Sequence, residues 1–85
     1  MSFRIDPRVA WQTVDGEGVL MDLVNGEVLG LNPVGSLVWS LLADHDEDAI
    51  VGAVCGRFAV EAEQARHDVR DFLGLLHAKR LVTEA

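Results

Sequence analysis

An α+β fold, a three-stranded antiparallel sheet followed by three helices, is what the sequence predicts, and three observations predict it. Runs of β-forming residues alternate with turn clusters as far as Leu31. From Asn32 onward the apolar spacing changes from a period of two to about 3.6. Pro33 follows Asn32 directly, so strand passes into helix with almost no loop and the two must pack closely. With 85 residues, 49% of them apolar and 25% charged, the chain has the balance of one folded domain, expected over 1–85.

The first strand is expected from Val9 to Val14, ending at the turn cluster Asp15-Gly16-Glu17-Gly18, and the second from Val19 to Val24. Asn25-Gly26 predicts a two-residue type I′ hairpin, because that turn needs positive φ at both central positions and these residues tolerate it best. The third strand then runs from Glu27 to Leu31. Asn32 suits an N-cap, its side-chain oxygen accepting from an orphan N–H, and Pro33 suits the first helical position. Leu37, Val38, Leu41 and Leu42 place one face of that helix inward, with its end near Ala43. The run Asp44-His45-Asp46-Glu47-Asp48 puts negative charge at the start of a second helix, Glu47 to Phe58, with Ile50, Val51, Val54 and Phe58 inward. A third helix, Glu61 to Lys79, carries Ala65, Val69, Phe72, Leu73 and Leu76 at helical spacing. Val60 and Glu61 are weak caps for it, and Leu81-Val82 is expected to pack back on the core.

Charge and composition exclude several functions. A net charge of −7, with only seven Lys and Arg, argues against a partner held through phosphates or an anionic membrane surface. The first residues lack the apolar run of about 7 to 15 residues that a signal peptide needs, and no stretch approaches the roughly 18 apolar residues of a membrane span. The expected address is cytoplasmic. Cys55, the one cysteine, lies among Ile50, Val51, Val54 and Phe58 and reads as a packed thiol.

Candidate chemistry is sparse. Asp44, Asp46 and Asp48 fall at the first, third and fifth positions of a calcium loop, but Ala49 replaces the turn glycine and Cys55 the bidentate glutamate. His45, His67 and His77 have no zinc-ligand spacing. Ser36, Ser40 and Cys55 have no partner base nearby in sequence. No enzyme activity, metal or cofactor is expected. The strand and helix order also fits a winged helix-turn-helix, whose third helix would read DNA. Arg66, Arg70 and Lys79 there face Glu61, Glu63, Asp68 and Asp71, which is not the basic footprint of a DNA reader.

The sheet edge is the remaining candidate. In a meander the outer strands each leave a row of N–H and C=O groups unpaired. The last strand, Glu27-Val28-Leu29-Gly30-Leu31, has one charge and no proline to blunt it. An open apolar edge beside an amphipathic helix suits capture of an extended peptide as an added strand. Cover of that edge by the chain's own tail or by a second copy is the competing reading, and proline at Leu29 or Gly30 is expected to remove an edge donor.

The chain resembles the PqqD-like family, the RiPP recognition elements, over about Val9 to Val82. The resemblance rests on Val19-Leu20-Met21-Asp22, the Asn25-Gly26 pair, Leu31-Asn32, Gly35, Leu37-Val38-Trp39, Leu41-Leu42, Asp68-Val69, Phe72-Leu73, Leu76 and Leu81-Val82. It implies a winged-helix-like fold that binds the leader of a ribosomally made precursor peptide, the leader pairing with the third strand and lying in a groove walled by the third helix. Carried over by position, the implied contacts are Glu27, Val28, Leu29, Gly30 and Leu31 on the strand, and Asp68, Phe72, Leu75, Leu76 and Lys79 on the helix. Val28 and Leu29 stand where family members often have aromatic residues. The implied role is that of a free-standing member in lasso peptide biosynthesis, presenting the precursor to a leader peptidase and a cyclase. A chaperone presenting a PQQ-type precursor to a radical enzyme is the nearest alternative, and a DNA-binding regulator a more distant one.

Overall fold

A computed structural model describes residues 3–84, so Met1, Ser2 and Ala85 of the expected domain lie outside the described residues. The elements are β1 (Phe3–Ile5), β2 (Val9–Val14), β3 (Glu17–Asp22), β4 (Glu27–Gly30), α1 (Pro33–Leu41), α2 (Glu47–Phe58), α3 (Ala62–Ala78) and β5 (Val82–Glu84). The strands β2, β3 and β4 form the expected antiparallel meander, in that order. β1 and β5 add a two-stranded antiparallel ribbon that the sequence did not announce, pairing Ile5 with Val82. Leu81 and Val82 also pack on the core as expected, each 1% exposed.

The two hairpins exchange the turns expected of them. Asp15 and Gly16 have φ of 52° and 81°, and Val14 pairs with Glu17, so the two-residue turn with both centres at positive φ lies there. β3 consequently starts at Glu17, earlier than Val19. At the other hairpin Asp22 pairs with Glu27, leaving Leu23 to Gly26 as the loop, and of these residues Gly26 has positive φ, 72°. The cause is Asp22, a buried carboxylate that accepts from the Val24 and Asn25 main-chain N–H groups at 2.9 and 3.2 Å and from Asn25 Nδ2 at 2.7 Å. Those bonds close the loop around Asp22 and end β3 before Leu23. They also hold the Asp22 carboxyl below its ordinary value, the Asn25 side-chain bond contributing most.

The helices follow their caps. Asn32 Oδ1 accepts from Gly35 N at 2.7 Å and Asp46 Oδ1 from Ala49 N at 2.8 Å, contacts worth about 1 kcal/mol each. Glu61 makes no side-chain cap, and α3 is held instead by its apolar face, from which Ala65, Val69, Leu73 and Leu76 are buried. These residues join Leu20, Leu31, Val38, Trp39, Leu42, Ile50, Val51, Val54 and Leu81 in one core between the sheet and the helices. Full burial of such a side chain contributes about 1.5–3 kcal/mol. Cys55 is half-buried and packs against this core.

Candidate functional site: an open strand edge and its groove

Register decides which backbone groups the edge offers. Leu31 N donates to Gly18 O at 2.8 Å, which marks that opposed pair as hydrogen-bonded. Pairs alternate along an antiparallel ladder, so Leu29 with Leu20 and Glu27 with Asp22 are the other bonded pairs. On the far side of the same strand Leu23 N donates to Arg8 O at 3.2 Å, as that alternation requires. The N–H and C=O groups of Val28 and Gly30 therefore point away from β3, along the open margin of the sheet. Leu29, by contrast, spends its N–H on the ladder. The expectation that proline at Leu29 removes an edge donor is thereby corrected: it would break the sheet itself.

The pleat assigns the side chains of β4. Leu29 shares the inner face with Leu20 and is half-buried, while Val28 lies on the outer face with Met21 and is 70% exposed. Gly30 has ordinary extended backbone, and a Cβ placed on it would meet nothing within 4 Å, so neither strain nor crowding requires the glycine. Leu31, just past the strand, is 7% exposed and belongs to the core.

Helix α3 supplies the other candidate contacts. At one end Lys79 Nζ reaches Glu27 Oε2 at 3.0 Å, spanning the gap between the two elements. Both side chains are partly solvated, so this bridge is worth at most about 1 kcal/mol and acts as a marker of proximity. Towards the other end, Asp68, Asp71, Phe72 and Leu75 of α3 line a shallow cavity of about 400 Å³ with Asn32, Val34 and Gly35. Gly35 lies beside Phe72 at the start of α1; a Cβ there would crowd the capping oxygen of Asn32 at 3.2 Å and meet the ring in ordinary contact at 3.5 Å. Leu75 is 47% exposed, an apolar side chain held at the mouth of the groove. Asp68 is exposed and accepts from Gln64 Nε2 at 2.8 Å.

The structure thus joins Glu27 to Lys79 by an ion pair and gathers Asp68, Phe72 and Leu75 around the cavity beside Asn32, while Gly30 lines a separate shallow cavity with Leu31 and Asn32. Leu31 and Leu76 belong to the core, 7% and 1% exposed. Asn32, Val34, Gly35 and Asp71 line the cavity beside α3 and were not among the expected contacts. Asp71 was legible, one helical turn from Asp68 and Leu75. The others carried only a capping signal. Among the described residues no group of three His, Cys, Asp or Glu is placed to hold a metal ion. No helix of the described residues is long and apolar enough to cross a membrane.

Fold and site together define a winged-helix-like domain with a strand edge left unpaired among the described residues. Its relatives agree with that class. The family described as "Coenzyme PQQ synthesis protein D (PqqD)" matches residues 17–82, and the chain belongs to that family. Among solved structures, one described as "TbiB1 in Complex with the TbiA(beta) Leader Peptide" is 36% identical, covers 96% of each chain and superposes with a TM-score of 0.87. Another, "Lasso peptide synthetase B1 complexed with the leader peptide", is 24% identical over 98% of this chain and 99% of that one, with a TM-score of 0.88, and shows the same fold. No curated protein matches the chain.

Proposed function

We propose that this protein binds the leader segment of a ribosomally synthesised precursor peptide and presents it to processing enzymes in lasso peptide biosynthesis. The observation that carries the reading is the β4 margin, where Val28 and Gly30 turn their N–H and C=O groups outward beside the groove walled by α3. An extended leader adds there as a further strand. Main-chain bonds to Val28 and Gly30 supply affinity, and side chains that fit between Leu29, Phe72 and Leu75 supply selectivity. The 36% identical structure, described as a complex with a leader peptide, matches along nearly its whole length, which supports the ligand. Bond-making is left to separate enzymes, a leader peptidase and a cyclase. A cytoplasmic address, where ribosomal precursors arise, suits the role.

The family description points by name to the quinone-cofactor pathway, yet both matching structures are described with leader peptides, the 24% one as a lasso peptide synthetase. DNA binding finds no support in a chain of net charge −7. The deciding experiment is titration of labelled leader, the TbiA(beta) leader serving as first probe and the cognate precursor's leader as the second. Saturable binding is expected with a dissociation constant between about nanomolar and micromolar. Absence of binding to the cognate leader, or duplex DNA binding that falls steeply with salt, would refute the assignment.

A further inference from the structure

The meander has a second open margin, on β2, and a different cleft lies against it. Because β3 offers its even-numbered residues to β4, it bonds to β2 through the residues opposite Ala10, Gln12 and Val14. Trp11 and Thr13 are left with N–H and C=O groups facing outward, and both residues line a cleft of about 280 Å³. Its other walls are one face of α1, with Ser36 and Ser40, and the end of α2, with Arg57 and Phe58. This is the flank of α1 opposite to Val34 and Gly35, which face the leader groove.

The chemistry of the cleft differs from the rest of the surface. Four other clefts of the described residues each contain at least two carboxylates, whereas this one contains none. Its one cation, Arg57, has no carboxylate partner among the described residues, a state it shares with Arg4 and Arg80, while Arg8, Arg66, Arg70 and Lys79 each have one. A cation in the last turn of α2 is favoured by the helix dipole, which explains its charge but not the company it keeps. Beside it Trp11 is 51% exposed and meets the buried Trp39 edge-on, ring centroids 5.5 Å apart. The Trp39 indole N–H is buried without an acceptor. Tryptophan and arginine are the residues that most often dominate protein interfaces. The volume is below the roughly 300–1,000 Å³ of small-molecule sites and suits one or two side chains.

We propose that the β2 margin docks an extended segment of a partner polypeptide that offers a carboxylate two residues from a large apolar side chain, so that both fall on the face of the cleft. The segment pairs with the outward groups of Trp11 and Thr13, lays its apolar side chain on Trp11 and sets its carboxylate on Arg57. Free backbone donors and acceptors favour a polypeptide over a lone carboxylate. The inference does not rest on leader binding at β4, and both margins can be occupied together.

The test uses isotope-labelled protein and two capped tripeptides, acetyl-Asp-Ser-Phe-amide and its Asn counterpart, in which the first and third side chains share a face, followed by the indole and main-chain N–H resonances of Trp11, Trp39 and Thr13. The Asp peptide is expected to shift them saturably and to bind about tenfold more tightly than the Asn peptide, the gain of a charge-assisted bond. Arg57→Gln should erase that preference and Arg57→Lys should keep most of it, with Val28→Pro leaving both unchanged. Equal binding of the two peptides, a preference that survives Arg57→Gln, or no saturable shift overturns the proposal. So does saturation by acetate alone, which would make the cleft a small-anion site, or shifts that grow with protein concentration without peptide, which would assign it to a second copy.

Discussion

Proline at adjacent positions of β4 separates strand addition from every other mode of binding. Val28 and Leu29 are neighbours on one strand, but the N–H of Val28 faces the open margin while that of Leu29 bonds to Leu20. Proline at Val28 removes a donor that only an incoming peptide would use, and edge strands accept proline where its missing N–H faces solvent. The peptide carbonyl left without a partner costs about 1–3 kcal/mol, so affinity should fall about 5- to 140-fold. Stability should change little, because the Val28 side chain is 70% exposed and no ladder bond is lost. Proline at Leu29 instead strands the Leu20 carbonyl inside the sheet at a similar cost of about 1–3 kcal/mol and disturbs a half-buried side chain. At about 4–8 °C per kcal/mol for a domain this small, its melting temperature should drop by roughly 5–20 °C. Anisotropy of labelled leader gives the affinities, and circular dichroism melts give the stabilities. Wild-type affinity in Val28→Pro, or equal destabilisation by the two prolines, would refute the register from which the outward groups were deduced.

Three further outcomes are expected. Asp68→Ala and Leu75→Ala, both exposed on α3, should together weaken leader binding with melting unchanged; wild-type titration in the double variant would remove α3 from the groove. Asn32→Ala takes away the oxygen that caps Gly35 N and should lower stability by about 1 kcal/mol in a denaturant melt, no loss meaning that the cap is idle. Acid should loosen the loop between β3 and β4 before the core. The Arg8 side chain, with its main-chain N–H, lowers the Asp6 carboxyl to about 2, and Asn25 lowers that of Asp22. A depressed folded pKa gives stability that is complete above the unfolded value, near 3.8, and is lost as pH falls through the folded one. Protection of the Val24 and Asn25 amides, measured against their intrinsic exchange rates, should therefore fall on descending from about pH 4, and a loss centred near neutrality would contradict the assignment.

What could be read from the sequence depended on whether the signal was local. α2 was expected from Glu47 to Phe58 and lies there, since Asp46 caps it and the charge of Glu47 and Asp48 follows at once. The bounds of β2 and the strand-to-helix junction at Asn32-Pro33 were equally local. The hairpin at Asn25-Gly26 was misread because the decisive group, the buried carboxylate of Asp22, lies outside the dipeptide that signals the turn. β1 and β5 escaped notice because three residues are too few to show a period and the partners stand at opposite ends of the chain. On α3, periodicity put Leu76 in the inward stripe and left Leu75 outside it, and the structure has them 1% and 47% exposed. No pattern could say whether Leu29 or Val28 turns its N–H outward. That parity is set by the pairing with Gly18, and only a fixed register reveals it.

Hydrogen exchange on β4, with and without saturating leader, tests the central claim most directly. The amides of Val28 and Gly30 should gain strong protection when leader binds, while Leu29, already bonded to β3, changes little. Leader binding that leaves Val28 and Gly30 exchanging as fast as before would contradict strand addition at this margin.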